Sequence, residues 1–223
     1  MKYLKMLGLA AVAAMGLMAF LGAGTASATV VCTTPNETNA CAEAWHEPAG
    51  TIWDASLDPG STAVLEATGG GLEDTCSEST VAGKQENTGS DTETVKVEVP
   101  KEIKVTEKVV PGLSFGNCTK PTKVLNPEGT MEFHWISGTD NATVTATGFE
   151  VTVEAVGGVS CVYSAGAAPG TDLGTATGGS MGTIDVSAIV NKKSGSFLCP
   201  ADSVWTASYT ITDPSGAVYF STK

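Results

Sequence analysis

The chain has 223 residues, with 24 acidic against 12 basic side chains and a net charge of −12, and every basic residue is a lysine. That balance excludes a nucleic-acid binder, which needs a basic footprint, and the lack of arginine removes the planar fork that grips phosphate or carboxylate at two points. A hydrophobic content of 42% is ordinary for a globular protein and argues against wholesale disorder.

The first predicted element is a secretory signal over residues 1–28. Lys2 and Lys5 precede an apolar run from Met6 to about Gly24, and Ala26-Ser27-Ala28 supplies a small-x-small cleavage pattern. A transmembrane anchor competes with this reading, but the run barely reaches spanning length and Gly, Ala and Ser dilute it. Thr29-Val30-Val31 before Cys32 also lacks the small residue that a lipidated cysteine requires. Cleavage predicts a mature chain from Thr29, of 223 − 28 = 195 residues and charge 10 − 24 = −14. The expected location is extracellular, with membrane contact only during export.

All six cysteines remain in the mature chain: Cys32, Cys41, Cys76, Cys118, Cys161 and Cys199. An even count in an exported chain predicts three disulfides. Fifteen connectivities are open, and sequential pairing is the simplest. Zinc is disfavoured because no C-x-x-C pair occurs and an oxidising compartment removes free thiolates.

Beyond the signal, helix periodicity is nearly absent and apolar residues alternate with polar ones, the period of half-buried strands. Thr94 to Val99 places three valines on one face, and Ile103-Lys104-Val105 repeats the pattern after Pro100-Lys101, so a charged β-ribbon is expected there. Met131 to Trp135 should bury Met131, Phe133 and Trp135. Val144 to Val153 reads as two strands broken at Gly148, followed by strands at Thr183–Ile189, Trp205–Ile211 and Val218–Phe220. Asp58-Pro59-Gly60, Asn126-Pro127-Glu128-Gly129, Gly157-Gly158 and Asp213-Pro214-Ser215-Gly216 punctuate the runs, and residues 85–91 read as a solvated loop.

About eleven short strands at this spacing predict an all-β fold, an antiparallel sandwich or barrel stabilised by disulfides. An immunoglobulin domain is disfavoured because no Trp lies between Cys161 and Cys199. The favoured organisation is one continuous β domain over 29–223; the alternative is two subdomains, 29–118 and 119–223. The first of those halves carries −10 and the second −4.

No motif calls for a catalytic residue, a cofactor or a metal. Gly178-Gly179-Ser180-Met181-Gly182 fits G-x-S-x-G, but a strand follows it where the hydrolase elbow needs a helix, and both mature histidines precede Ser180. Lys193-Ser194-Gly195 stands without the S-x-x-K partner of penicillin-binding enzymes and reads as a turn. Glu132 and His134, two apart on one strand, share a face and are the weak candidates for an acid–base pair or part of a metal site; the favoured reading is the wet face of a strand whose other face holds Phe133 and Trp135. Trp45-His46-Glu47 is a second such cluster, in which Trp45 reads as a cap over the core, with a surface ligand platform as the alternative, and Trp53, Trp135 and Trp205 read as core. Glu73-Asp74, Glu150 and Glu154 could serve glycoside cleavage only if brought to the right separation. Asp140-Asn141 and Asp172 lack a calcium-loop pattern. Asn36, Asn117 and Asn141 head glycosylation sequons.

The segments around the cysteines carry a resemblance. Cys32-Thr33-Thr34-Pro35, Asp74 to Lys84, Leu113 to Cys118, Phe197-Leu198-Cys199-Pro200 with Trp205 to Tyr209, and Val218 to Ser221 resemble a group of secreted, disulfide-containing all-β bacterial proteins of no assigned function. The resemblance implies export and an all-β fold, and it implies no catalytic residue. The expected function is a secreted or envelope-associated, non-enzymatic β-module with a structural or binding role. Its expected partner is a cell-surface polysaccharide or a protein. The alternatives are a secreted hydrolase acting on glycan or peptide, and a small-ligand carrier with an apolar cavity that uses Trp residues.

Overall fold

The computed structural model describes residues 29–34, 41–68, 70, 72–89, 93–136, 139–155, 157–166, 170–178 and 181–222. The predicted signal, Asn36, and the Gly179-Ser180 pair of the G-x-S-x-G match lie outside them.

The alternating runs form strands, and the class is all-β. In chain order the strands are β1 (Thr29–Cys32), β2 (Ile52–Leu57), β3 (Ala63–Ala67), β4 (Glu73–Gln85), β5 (Val95–Val99), β6 (Glu102–Val105), β7 (Lys108–Pro111), β8 (Leu113–Cys118) and β9 (Thr122–Asn126). Then come β10 (Gly129–Trp135), β11 (Ala142–Thr147), β12 (Glu150–Ala155), β13 (Val159–Ser164), β14 (Thr171–Thr177), β15 (Thr183–Gly195), β16 (Asp202–Asp213), β17 (Gly216–Ala217) and β18 (Tyr219–Thr222). One 3-10 turn, Glu43–Trp45, precedes β2. The eighteen strands among the described residues exceed the eleven or so expected, because short polar runs pair as well as the clearly alternating ones. β4 is the main surprise: its sequence EDTCSESTVAGKQ is largely polar, yet it is a 13-residue strand.

Eight antiparallel strands close into a barrel in the order β16-β2-β4-β5-β10-β11-β14-β15, with β15 pairing back onto β16. Closure leaves none of these strands with an open edge within that ring. Three of them are too long for the ring, and each changes neighbours part-way. β4 pairs β2 through Thr80–Lys84 but β3 and β8 through its first half. β16 pairs β2 at Tyr209–Thr212 and β3 at Ser203–Thr206. β15 pairs β14 at Thr183–Val186 and β13 from Asn191 to Gly195.

These extensions carry a second tier above the barrel, in the order β9-β12-β13-β15-β16-β3-β4-β8. It does not close, because no ladder joins β8 to β9. Three residues, Thr119–Pro121, connect those two strands at one corner.

The opposite end of the barrel is plugged. β1 pairs β18 as a separate two-stranded sheet, and Phe220 from β18 enters the core. Its ring stacks 5.2 Å from Phe133 and lies edge-on at 6.0 Å to Trp53, while Trp53 meets Phe133 at 5.4 Å. The expected charged ribbon is present as the separate hairpin β6–β7.

The three disulfides are Cys32–Cys41, Cys76–Cys118 and Cys161–Cys199, the sequential set. Cys76 and Cys118 are register partners across β4 and β8. Two readings of tryptophan need correction. Trp45 is 52% exposed and does not cap the core. Trp135, the last residue of β10 and next to exposed Ile136, is only half-buried, its Nε1–H donating to the Thr139 carbonyl at 2.5 Å. Lys193-Ser194-Gly195, expected as a turn, instead continues β15.

Candidate functional site

The open tier encloses an apolar recess. Its walls are inward rows two residues apart, as strand geometry requires: Leu113 and Phe115 on β8, Val151 and Val153 on β12, and Ala63 and Leu65 on β3. Phe149, Tyr163, Ala165, Val190 and Trp205 are among the other apolar lining residues. The packing leaves about 60 Å³ in which the centre of a water-sized molecule can move. Close-packed interiors rarely keep such a void.

Leu113, Phe149 and Trp205 also line a second, smaller void of about 30 Å³ inside the closed barrel. They therefore form a partition between the two chambers. Trp205 is held edge-on between Phe115 at 6.1 Å and Tyr209 at 6.5 Å. Phe149 reaches the partition by way of two glycines. Gly148 turns the chain at φ +93, and a Cβ on Gly129 would sit 2.8 Å from the Phe149 ring and 2.4 Å from the Thr147 carbonyl. Glycine at both places lets the ring lie across the barrel mouth.

One lining residue is charged. Asp74, only 2% exposed, accepts hydrogen bonds at Oδ1 from Thr119 Oγ1 (3.0 Å) and the Lys120 amide (2.8 Å), and at Oδ2 from Thr122 Oγ1. This carboxylate fastens β4 to the corner between β8 and β9. Asp74 also lies near the sulfurs of Cys76 and Cys118, the one three-donor cluster of metal-ligand type among the described residues. Both sulfurs are bonded to each other, so they offer no thiolate and the cluster does not fit a metal.

Glu132 and His134 share a face of β10, as their spacing predicts, and it is the outer, wet face of the barrel wall. Glu132 Oε1 pairs with Lys96 Nζ at 2.8 Å on neighbouring β5, and its Oε2 lies 3.5 Å from His134 Nε2. His134 Nε2 also contacts Thr145 Oγ1 at 3.3 Å on β11. The hydrogen bond to Glu132, with its charge, raises the Lys96 ammonium above its ordinary value. This is a lateral rung of polar side chains, 31% exposed at Glu132 and 42% at His134, not a cleft. His46 makes a different contact, Nε2 to the Cys41 carbonyl at 3.1 Å, and shares no partner with His134.

The other acids singled out in the sequence are dispersed. Glu150 pairs with Lys193, Asp172 accepts the Gly174 amide at 3.0 Å, and Glu73 is exposed beside buried Asp74. Asn117 donates to Glu78 at 2.7 Å, and Asn141 Oδ1 accepts the Gly178 amide at 3.2 Å.

Two more titratable side chains, one of them from the Trp45-His46-Glu47 cluster, are buried. Glu47, 2% exposed, has its carboxyl pushed above the ordinary 4.5 by burial first; the Thr51 hydroxyl, donating at 3.1 Å, works against that shift and nearby Asp213 adds to it. Tyr209 stands inside the barrel with its hydroxyl 2.8 Å from Ser79 Oγ, and burial drives its phenol far above the usual range. The position and lining of the recess were invisible in the sequence, since they depend on which strands pair. Asp74 left one trace: its spacing of two from Cys76 puts both on the same inward face of β4.

No family model, curated protein or solved structure matches the chain.

Proposed function

We propose that the mature chain is an exported, non-enzymatic β-module that works by binding, and that the bound species is a small apolar ligand rather than a polymer laid on a flat face. The observation that carries this reading is the apolar concavity of the open tier, set against polar side chains that are dispersed or tied to one another elsewhere. Concave, mostly apolar sites with few polar groups are the usual form of small-molecule sites. Three disulfides, and the absence among the described residues of a helix long and apolar enough to cross a membrane, are compatible with an extracellular protein. A strongly acidic surface would keep such a module soluble.

The test uses mature, oxidised protein. Native mass spectrometry after exposure to apolar extracts of culture medium and cell envelope should show a retained small molecule. Turnover of a glycan or peptide panel that a Glu132→Gln, His134→Ala double substitution abolishes would overturn the reading.

A further inference from the structure

The recess combines an apolar wall with a carboxylate that has no cation. None of the ion pairs among the described residues involves Asp74. Its three hydrogen-bond donors are two hydroxyls and one backbone amide, all without formal charge. Oδ1 takes two of them and Oδ2 takes one, so Oδ2 keeps acceptor capacity. The nearest other atom of note, Cys76 Sγ at 3.8 Å from Oδ2, belongs to a disulfide and has no hydrogen to donate. No other residue lining the recess carries a charge. A buried charge without a counter-ion is costly, and the complementary partner is a cation brought in with its own apolar body.

We infer that the recess is a binding site for a small hydrophobic amine, with the alkyl or arylalkyl group among Val151, Val153, Leu65 and Trp205 and the ammonium against Asp74 Oδ2. This rests on the reading of the chain as a small-ligand binder and adds the chemical class. The side chain that meets the head group also limits the choice: a carboxylate head is repelled by Asp74, so a fatty acid does not fit. Leu113, Phe149 and Trp205 set the depth, since a tail longer than the recess meets that partition before it reaches the second void.

Three probes share one tail and differ only in the head: hexylammonium, hexan-1-ol and hexanoate. Dissociation constants are measured by methyl NMR titration of the mature, oxidised protein in roughly 0.15 M salt, which screens the general field of an acidic protein to within about 8 Å. Hexylammonium should bind about tenfold tighter than hexanol, the usual margin of a charge-assisted hydrogen bond over a neutral one, and hexanoate weakest. Asp74→Asn should erase the margin between ammonium and alcohol. Because Asp74 also fastens a corner of the fold, Ala165→Leu is the companion variant. It fills the recess, leaves Asp74 in place and should abolish binding of all three probes while the melting transition stays cooperative. Equal affinity for hexylammonium and hexanol would overturn the amine assignment and leave the small-ligand reading standing. Hexylammonium binding that survives Ala165→Leu would place it on the acidic surface and overturn the site. Failure of every probe to bind the unmodified protein would sink both.

Discussion

Replacing Asp74 with alanine should destabilise the fold more than any other single acid-to-neutral change. The carboxylate is 2% exposed and accepts from Thr119, Lys120 and Thr122, joining β4 to the only strand boundary of the upper tier that has no ladder. Hydrogen bonds to a charged group contribute about 1.5–3 kcal/mol each, so a plain sum of three would be about 4.5–9 kcal/mol. The true figure is smaller, because the wild type carries the cost of desolvating the carboxylate and the corner relaxes once it is gone. Breaking a buried charged network typically costs about 3–5 kcal/mol, and the lower end is expected here because the Cys76–Cys118 bond still ties β4 to β8. For a chain of this size about 3 kcal/mol corresponds to a fall in Tm of roughly 6–12 °C. The assay is urea denaturation of the oxidised protein, with amide hydrogen exchange at Lys120 as a local readout. Thr119→Val and Thr122→Val should each lose about 1–2 kcal/mol, and neither should add fully to Asp74→Ala, since they share its acceptor. A loss below about 1 kcal/mol for Asp74→Ala, or a Lys120 amide that exchanges freely in the wild type, would refute the claim that this carboxylate locks the corner.

The remaining predictions concern pH and covalent closure. Glu47 has its carboxyl raised above the ordinary 4.5, chiefly by burial. On rising pH the unfolded chain releases this proton before the folded one does, so the contribution present below about 4.5 is lost as pH climbs through the folded value. Glu47→Gln should therefore match the wild type in acid and exceed it at neutral pH; a variant less stable at pH 7 than at pH 4, relative to wild type, contradicts this sign. Removing Cys161–Cys199 by paired serine substitution opens a 38-residue loop and should cost about 4 kcal/mol by the chain-entropy estimate, read as a shift in urea midpoint. Non-reducing peptide mapping should recover three bridges, and free thiols in the purified protein would contradict the set.

The alternating runs made the all-β class legible, and they placed β5, β10, β11, β12 and β16 within a few residues, because a period of two survives in any half-buried strand. β4 escaped for a physical reason: a strand paired on both edges draws its stability from its backbone ladder, so Glu, Ser and Thr can occupy its outward positions at little cost. Its buried residues, Asp74, Cys76, Ser79, Ala82, Gly83 and Gln85, do not form a clean apolar row. The Glu132–His134 rung was legible both as a shared face and as the outward one, because the alternate positions Met131 and Phe133 are apolar and take the core side of β10. An apolar cavity stood among the alternatives, but the position and lining of the recess could not be read. It arises where β4, β15 and β16 change neighbours, and a change of partner leaves no mark in local periodicity.

The disulfides take on a different meaning once that change of partner is known. The closed ring has an unbroken ladder through all eight strands and carries no bridge between any two of them. Cys76–Cys118 and Cys161–Cys199 both lie in the open tier, the first beside the unpaired β8–β9 corner and the second tying β13 to the turn between β15 and β16. Cys32–Cys41 braces the segment that leads from β1, the strand that plugs the other end, into the 3-10 turn. Covalent closure thus falls where hydrogen-bonded closure is incomplete. A tier with an incomplete ladder gives up the cooperativity of a sealed one, and cross-links that restrict its unfolded states restore stability without sealing it. Extending β8 and β9 so that they pair should then make the two upper bridges less consequential for stability, while narrowing the recess they frame. If such a variant binds hexylammonium as the wild type does, the open seam has no part in ligand entry.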